Sequence, residues 1–365
     1  MVSLSSEQFS THLLQWFDQH GRHDLPWQQE ISPYRVWVSE IMLQQTQVTT
    51  VIPYYQKFMT TFSTLEALAQ ASQEQVLAHW AGLGYYARGR NLHKAAQQIV
   101  KDFGGQFPTS LAAMMTLPGV GRSTAGAILS IACGERQPIL DGNVKRVLGR
   151  VYALEQWPGE KAAENWLWQR AEELTPVQRF ADYTQAIMDL GATLCTRSKP
   201  QCHRCPVATG CSALAQNRVA DFPFKKPTQV KPEKSVYLML LQNQQGQLWL
   251  ERRPSKGIWG GLWSVPECMD WQACTELAQS RFGKASSLLK WEPFRHTFSH
   301  YHLQITPVLV QQSSANEGIS EGEGGYATEL ALTSNGNWMD LTAVINGQIG
   351  VPAPVQKLVS QLQDY

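Results

Sequence analysis

From about Phe9 to Leu214 apolar residues recur at three- and four-residue steps, with Gly- or Pro-bearing turns between the runs. Ser63–Trp80, Arg90–Val100, Ser123–Cys133 and Lys161–Leu174 are the clearest of these stretches. That period predicts amphipathic helices, and almost nothing in the region alternates as a strand does. From Ser235 the texture changes. Ser235–Leu241 and Gln247–Arg252 read as strands around a turn at Asn243–Gly246, His302–Gln311 reads as another strand, and Val355–Gln363 as a closing helix. Between the two regimes, Asp221–Lys234 carries three prolines and four lysines with little to bury, and reads as a linker or surface strap. Gln312–Gly325 is rich in Ser, Gly and Glu and reads as a long loop. The expected division is a helical domain over residues 1–220, a linker over 221–234 and a mixed domain over 235–365.

Length and charge change this picture little. The 365 residues suffice for two ordinary domains, and a net charge of +1 means that any basic face must be local. No charged-then-apolar leader and no apolar run of membrane-spanning length is evident.

Cysteine changes it more. Cys195, Cys202, Cys205 and Cys211 form a C-x6-C-x2-C-x5-C array. Four thiolates so close in sequence point to a metal or iron–sulfur site. Zinc competes, since it also accepts four cysteines, and disulfides compete less well. Structural zinc usually takes two short hooks, whereas this array has a single hook between two wider gaps. The array also implies a reducing compartment. Cys133, Cys268 and Cys274 show no ligand spacing and read as buried thiols.

A second motif precedes the array. Leu117-Pro118-Gly119-Val120-Gly121 lies between two helical stretches. Its glycines allow a tight turn with bare N–H groups at a helix start, a cradle for phosphate; an ordinary helix–helix turn is the alternative. Twenty residues after Gly121 comes Asp141, in Leu140-Asp141-Gly142-Asn143-Val144-Lys145-Arg146.

In this order the motifs resemble the endonuclease III superfamily of base-excision DNA glycosylases, and within it the MutY-type adenine glycosylases. The residues that carry the likeness are Leu25-Pro26-Trp27, Trp37–Gln47 (with Ser39-Glu40-Ile41-Met42-Leu43-Gln44-Gln45-Thr46-Gln47), Gly82–Arg88, the hairpin, Leu140–Val147 and the cysteines. The resemblance implies an all-helical helix-hairpin-helix glycosylase domain with a [4Fe–4S] cluster on the four cysteines. It implies base flipping on double-stranded DNA, release of adenine mispaired with 8-oxoguanine or guanine, and a monomer in the bacterial cytoplasm, at the nucleoid, alongside other repair proteins.

Adenine is a poor leaving group unless its ring is protonated. Glu40 lies in an apolar, aromatic-rich stretch that should raise its pKa. By resemblance it is the general acid, acting at N7, and a candidate to activate water afterwards. Asp141 is the carboxylate facing the oxocarbenium-like sugar, as electrostatic stabiliser or transient covalent partner. Taken alone, Glu40 reads as a surface acid and Asp141 as a helix N-cap. Ser123 stands where bifunctional relatives carry a lysine; its hydroxyl forms no Schiff base, so the enzyme is expected to leave an abasic site uncut. Lys145 reads as a phosphate-contacting or solvated lysine.

Gln45 and Tyr85 match positions that wedge into the duplex. Trp27, Gln185 and Asn143 match the adenine pocket and the neighbourhood of the catalytic pair, although His23 and Gln28 replace arginines of some relatives. Arg197, Lys199 and Arg204 lie between the cluster cysteines and offer charge to phosphates, or else are solvated. The C-terminal region resembles a Nudix (MutT-like) domain, a mixed sheet with helices. Gly261 and Glu267 fit the Nudix signature, but Thr275, Gln279 and Ser280 replace its arginine and paired glutamates, so metal-dependent pyrophosphate hydrolysis is not expected. By resemblance this domain reads 8-oxoguanine with Phe298, Ser299 and His300. Two alternatives remain: a related glycosylase for another base, such as thymine in T:G, and a non-catalytic damage-binding protein.

Overall fold

A computed structural model of the chain describes residues 4–226, 230–254, 257–282, 286–312 and 336–363. It divides into two compact units, Met1–Ala71 with Arg90–Thr228, and Ser72–Gly89 with Gln229–Tyr365. The second unit thus takes in a helical stretch that the sequence places in the first domain.

The helices in chain order are α1 (Ser6–His20), α2 (Pro33–Leu43), α3 (Val48–Thr61), α4 (Leu65–Gln70), α5 (Gln73–Trp80), α6 (Ala87–Phe103), α7 (Leu111–Met114), α8 (Arg122–Ala132), α9 (Gly142–Val151), α10 (Lys161–Leu174), α11 (Phe180–Asp189) and α12 (Ser212–Ala215). Lys161–Leu174 is a helix with the bounds expected from sequence. The run Ser63–Trp80 is instead two helices. Ser72 breaks it, because its hydroxyl caps the Gln75 N–H while the Gln75 side chain accepts the Ser72 N–H, a reciprocal N-terminal box.

The first unit's core is built from the inward stripes of α1, α9, α10 and α11, with Leu13, Phe17, Val147, Leu148, Leu167, Tyr183 and Ile187 all buried. Burying so many large side chains at about 25 cal/mol per Å² fixes where the loop ends between these helices must lie. That fixed geometry carries Asp141 before α9, while α2, which bears Glu40, packs against α8.

The second unit carries one eight-stranded sheet. Its strands are β1 (Glu233–Gln242), β2 (Leu248–Arg252), β3 (Trp263–Ser264), β4 (Glu267–Cys268), β5 (Ser286–Lys290), β6 (Phe294–Thr297), β7 (His302–Gln312) and β8 (Gly336–Met339). The order is β3-β2-β1-β7-β5, with β4 on β1, β6 on β7 and β8 on β2. β1 and β7 are parallel, and the other pairs are antiparallel. Helices follow as α13 (Trp271–Phe282), α14 (Leu341–Ile345) and α15 (Ala353–Gln363). Leu238 and Leu240 face one layer with Val355 and Leu358, while Met239 and Leu241 face the other with Cys274 and Ala278. Both faces of the central strands are covered, so β1 reads as a continuous apolar run rather than an alternation. Within this unit Glu74 accepts the Trp263 indole N–H at 2.8 Å, and Tyr86 donates to the Val351 carbonyl at 3.2 Å.

The Asn243–Gly246 turn is held by the Asn243 side chain, which accepts from the N–H groups of Gln245 and Gln247. The loop read over Gln312–Gly325 lies, beyond Gln312, outside the described residues. Among the described residues no helix is long and apolar enough to cross a membrane.

Candidate active site and cysteine pocket

Asp141 is the N-cap of α9. Its Oδ1 accepts the Val144 N–H at 2.7 Å and its Oδ2 accepts the Asn143 side-chain amide at 3.2 Å. The capping role expected of an isolated Asp is therefore present, and it fixes the carboxylate in place. Glu40 stands in the last turn of α2, partly accessible but set among dense protein. Burial pushes its carboxyl up to about 8, and the neighbouring Asp141 charge pushes the same way. Burial also raises Asp141, but there the N–H groups of Val144 and Asn143 and the Arg146 charge oppose it. Of this pair, Glu40 is the group with nothing to offset the cost of ionising.

The surroundings hold the two acids firmly. Ser123, in the first turn of α8, accepts the Leu140 N–H at 3.0 Å and so ties the residue before Asp141 to the hairpin helix. Gly191 lets the chain after α11 press against α9: a Cβ there would come within 2.6 Å of Asn143 Cβ. Arg146 donates to Asn143 Oδ1 at 2.8 Å, to the Gly191 carbonyl at 2.6 Å and to the Cys195 carbonyl at 2.7 Å.

Sequence reasoning missed Arg22 and Asp189. Asp189 is fully buried and takes the Arg22 N–H at 2.7 Å and its Nε at 3.0 Å, with Gln185 donating to the same carboxylate at 2.9 Å. An acid inside the apolar run Ile187-Met188-Asp189-Leu190 was the available signal. His23 and Gln28, noted as departures, turn onto backbone: His23 pairs with the Phe17 carbonyl, while Gln28 donates to that of Arg22 and accepts the Leu25 N–H. Trp27 is buried edge-on to Tyr55, with centroids 5.4 Å apart.

In the hairpin, Gly119 takes φ +80°, and Gly119 and Gly121 are exposed. Val120 is buried, and its N–H donates to the Leu117 carbonyl at 3.1 Å. Gln45 is exposed with φ +59°. Tyr85, in the second unit, is 52% exposed with φ +48°, and the Arg88 guanidinium lies 5.5 Å from its ring. Arg197, Lys199 and Arg204 are exposed. Lys145 is engaged with Glu164 at 2.6 Å.

The four array cysteines are free thiols that line one pocket with Val147, Val151, Leu190, Leu194 and Arg150. Burial pushes the Cys205 thiol up to about 12, and the other three thiols add to that rise. Among the described residues no three His, Cys, Asp or Glu side chains converge closely enough to share one ion.

In the second unit, Phe298 packs on Trp259 (centroids 5.3 Å apart) and Tyr301 (4.7 Å), and its N–H donates to the Tyr301 carbonyl at 2.9 Å. Ser299 and His300 are exposed at the tip of this turn. Glu267, the remaining Nudix carboxylate, is paired with Arg253. Thr275 and Ser280 on α13 turn their hydroxyls onto its own backbone.

Residues 38–173 match the HhH-GPD superfamily of base excision DNA repair proteins, and residues 237–361 match the NUDIX domain. The chain is 36% identical to the adenine DNA glycosylase of Buchnera aphidicola subsp. Schizaphis graminum, over 96% of this chain and 97% of that one. It is 37% identical to the human adenine DNA glycosylase, over 81% of this chain and 65% of that one. Among solved structures, a thermostable thymine-DNA glycosylase aligns with a TM-score of 0.53 at 27% identity, covering 58% of this chain and 97% of that chain.

Proposed function

We propose that this chain, which belongs to the adenine DNA glycosylase family, hydrolyses the bond between adenine and deoxyribose in duplex DNA, with Glu40 as proton donor and Asp141 as the carboxylate facing the sugar. The observation that carries this reading is the unequal pair. Glu40 keeps its proton near neutrality, while the donors around Asp141 favour its charge. Protonation at N7 makes the base a better leaving group, and an ionised Asp141 stabilises the positive charge that grows on the sugar. Asn143 and Ser123 position Asp141; Trp27 and Gln185 would wall the adenine pocket, with the buried Asp189 and its partner Arg22 holding Gln185 in place. Ser123 offers no amine, which supports base release without strand cutting.

The exposed Gly119 and Gly121, on either side of Val120 in the hairpin, suit a phosphate, with Arg197, Lys199 and Arg204 as further phosphate contacts. Gln45 and Tyr85 suit insertion beside a flipped nucleotide. Phe298, Ser299 and His300 would read 8-oxoguanine: an aromatic ring to stack on it, and a hydroxyl to meet the N7–H donor that guanine lacks. Glu267 held by Arg253 supports binding rather than hydrolysis in this domain.

The four thiols fit a [4Fe–4S] cluster. A cluster takes one thiolate at each iron, and four thiols lining one apolar pocket suit it. When bound, the cluster cross-links the loop that carries Arg197, Lys199 and Arg204 and supplies a one-electron centre.

The test is base release from duplexes carrying A:8-oxoguanine, A:G, T:G or undamaged pairs. Release confined to adenine in the first two supports the reading, and thymine release from T:G would replace it.

A further inference from the structure

Arg150 lies on α9 one turn beyond Arg146 and is only 2% exposed. Its Nε donates to the Phe222 carbonyl at 3.0 Å, Nη1 to the Thr196 carbonyl at 2.7 Å and Nη2 to that of Arg197 at 3.2 Å. Nη1 also reaches Cys195 Sγ at 3.3 Å. None of these partners is a carboxylate, and among the described residues Arg150 forms no ion pair. The partly exposed guanidinium of Arg22, by comparison, has Asp189. A buried cation surrounded only by neutral groups is costly unless an anion stands close by. The side of Arg150 not committed to carbonyls faces the pocket of the four thiols, and its charge bears on Cys202 as well.

We propose that Arg150 is the counter-ion of the cluster and the residue that sets the potential of its one-electron couple. This rests on the cluster reading above. Four thiolates leave such a cluster net negative, so the anion that Arg150 lacks is the occupant of the pocket. An N–H donated to Cys195 Sγ draws electron density from that thiolate, and a buried positive charge favours the more negative member of the couple. Removing one electron to an outer-sphere oxidant such as ferricyanide makes the cluster less negative by one charge, which Arg150 opposes. The solvent-facing Arg197, Lys199 and Arg204 are screened and contribute little. Arg146 reaches the carbonyl of Cys195, not its sulfur.

The experiment uses the holoprotein as purified, without DNA: the parent, Arg150→Gln, Arg150→Lys and the exposed-charge control Arg204→Gln. Iron and acid-labile sulfide per chain, the midpoint potential and the rate of bleaching by ferricyanide are measured. Arg150→Gln is expected to lower the midpoint and to bleach severalfold faster. Arg150→Lys keeps the charge but withdraws it from the sulfur, and falls between. Arg204→Gln leaves both readings at the parent's values. If the Gln variant loses its cluster, the Lys variant decides by the same criteria. A fully loaded Arg150 variant with the parent's midpoint and bleaching rate overturns the inference, as does an equal shift in Arg204→Gln. A parent with neither iron nor sulfide overturns the cluster reading, and the inference falls with it.

Discussion

Asn143 donates its side-chain amide to Asp141 Oδ2 at 3.2 Å while its own Oδ1 accepts from Arg146 at 2.8 Å. The second bond decides the first. A guanidinium only donates, so Arg146 forces the amide oxygen toward itself and the amide N–H groups toward Asp141. Because Arg146 also holds the Cys195 carbonyl, the carboxylate proposed to be catalytic is aimed from the edge of the cysteine pocket. Asn143→Ala should slow single-turnover adenine release by ~10- to 100-fold while changing duplex affinity much less, since it removes one oriented hydrogen bond to a charged group worth about 1.5–3 kcal/mol. Equal losses in rate and affinity would assign Asn143 to DNA binding instead.

The pH dependence follows from Glu40. With its carboxyl pushed up to about 8, the competent protonated form is lost as pH rises through that value. Adenine release should be level near neutrality and fall about tenfold per pH unit well above it. Stability carries the same sign. The unfolded chain releases this proton near the ordinary 4.5 and the folded chain near 8, so stability declines across that window as pH rises. Glu40→Gln removes the decline and should gain ~2–4 kcal/mol over the parent at pH 8 and almost nothing at pH 4, read from denaturant titrations at both pH values.

Ser123 is as much a structural residue as a missing lysine. Ser123→Ala leaves the Leu140 N–H without its acceptor and should cost about 1–2 kcal/mol of stability, with a slower reaction because Asp141 follows directly. The parent should leave its product strand whole until alkali or heat is applied. Immediate strand scission by purified protein would contradict the monofunctional reading.

The turn proposed to read the lesion separates by function. Ser299→Ala, at an exposed tip, should reduce the preference for A:8-oxoguanine over A:G by roughly 5- to 10-fold with little effect on A:G itself, since it removes about one hydrogen bond's worth of discrimination. Phe298→Ala removes a ring packed on Trp259 and Tyr301 and should lower stability of the second unit as well. Rates on the two mispairs, measured side by side, distinguish these effects.

Where one side chain decides the outcome locally, the sequence was legible. Lys161–Leu174 shows its helix by period alone, and the central strands show themselves as apolar runs because both faces are covered. Ser72 carried a readable capping pattern with Gln75, masked by the helical period continuing on either side. β5 and α13 escaped notice because one is a short outer strand and the other has only Cys274 and Ala278 buried. In the site, Glu40 and Asp141 were found through the motifs around them, whereas Arg22 and Asp189 meet across 167 residues, a pairing no local pattern encodes. Arg150 looks like any helical arginine until Thr196, Arg197 and Phe222 close over it.

The central claim is that a protonated Glu40 breaks the bond. It is tested most directly by single-turnover release of adenine from an A:8-oxoguanine duplex at pH 7, parent against Glu40→Gln, with enzyme in excess and duplex binding measured in parallel. The account predicts full binding by the variant and release slowed by at least ~100-fold, the scale of a lost general acid. Release by Glu40→Gln at the parent's rate would contradict it.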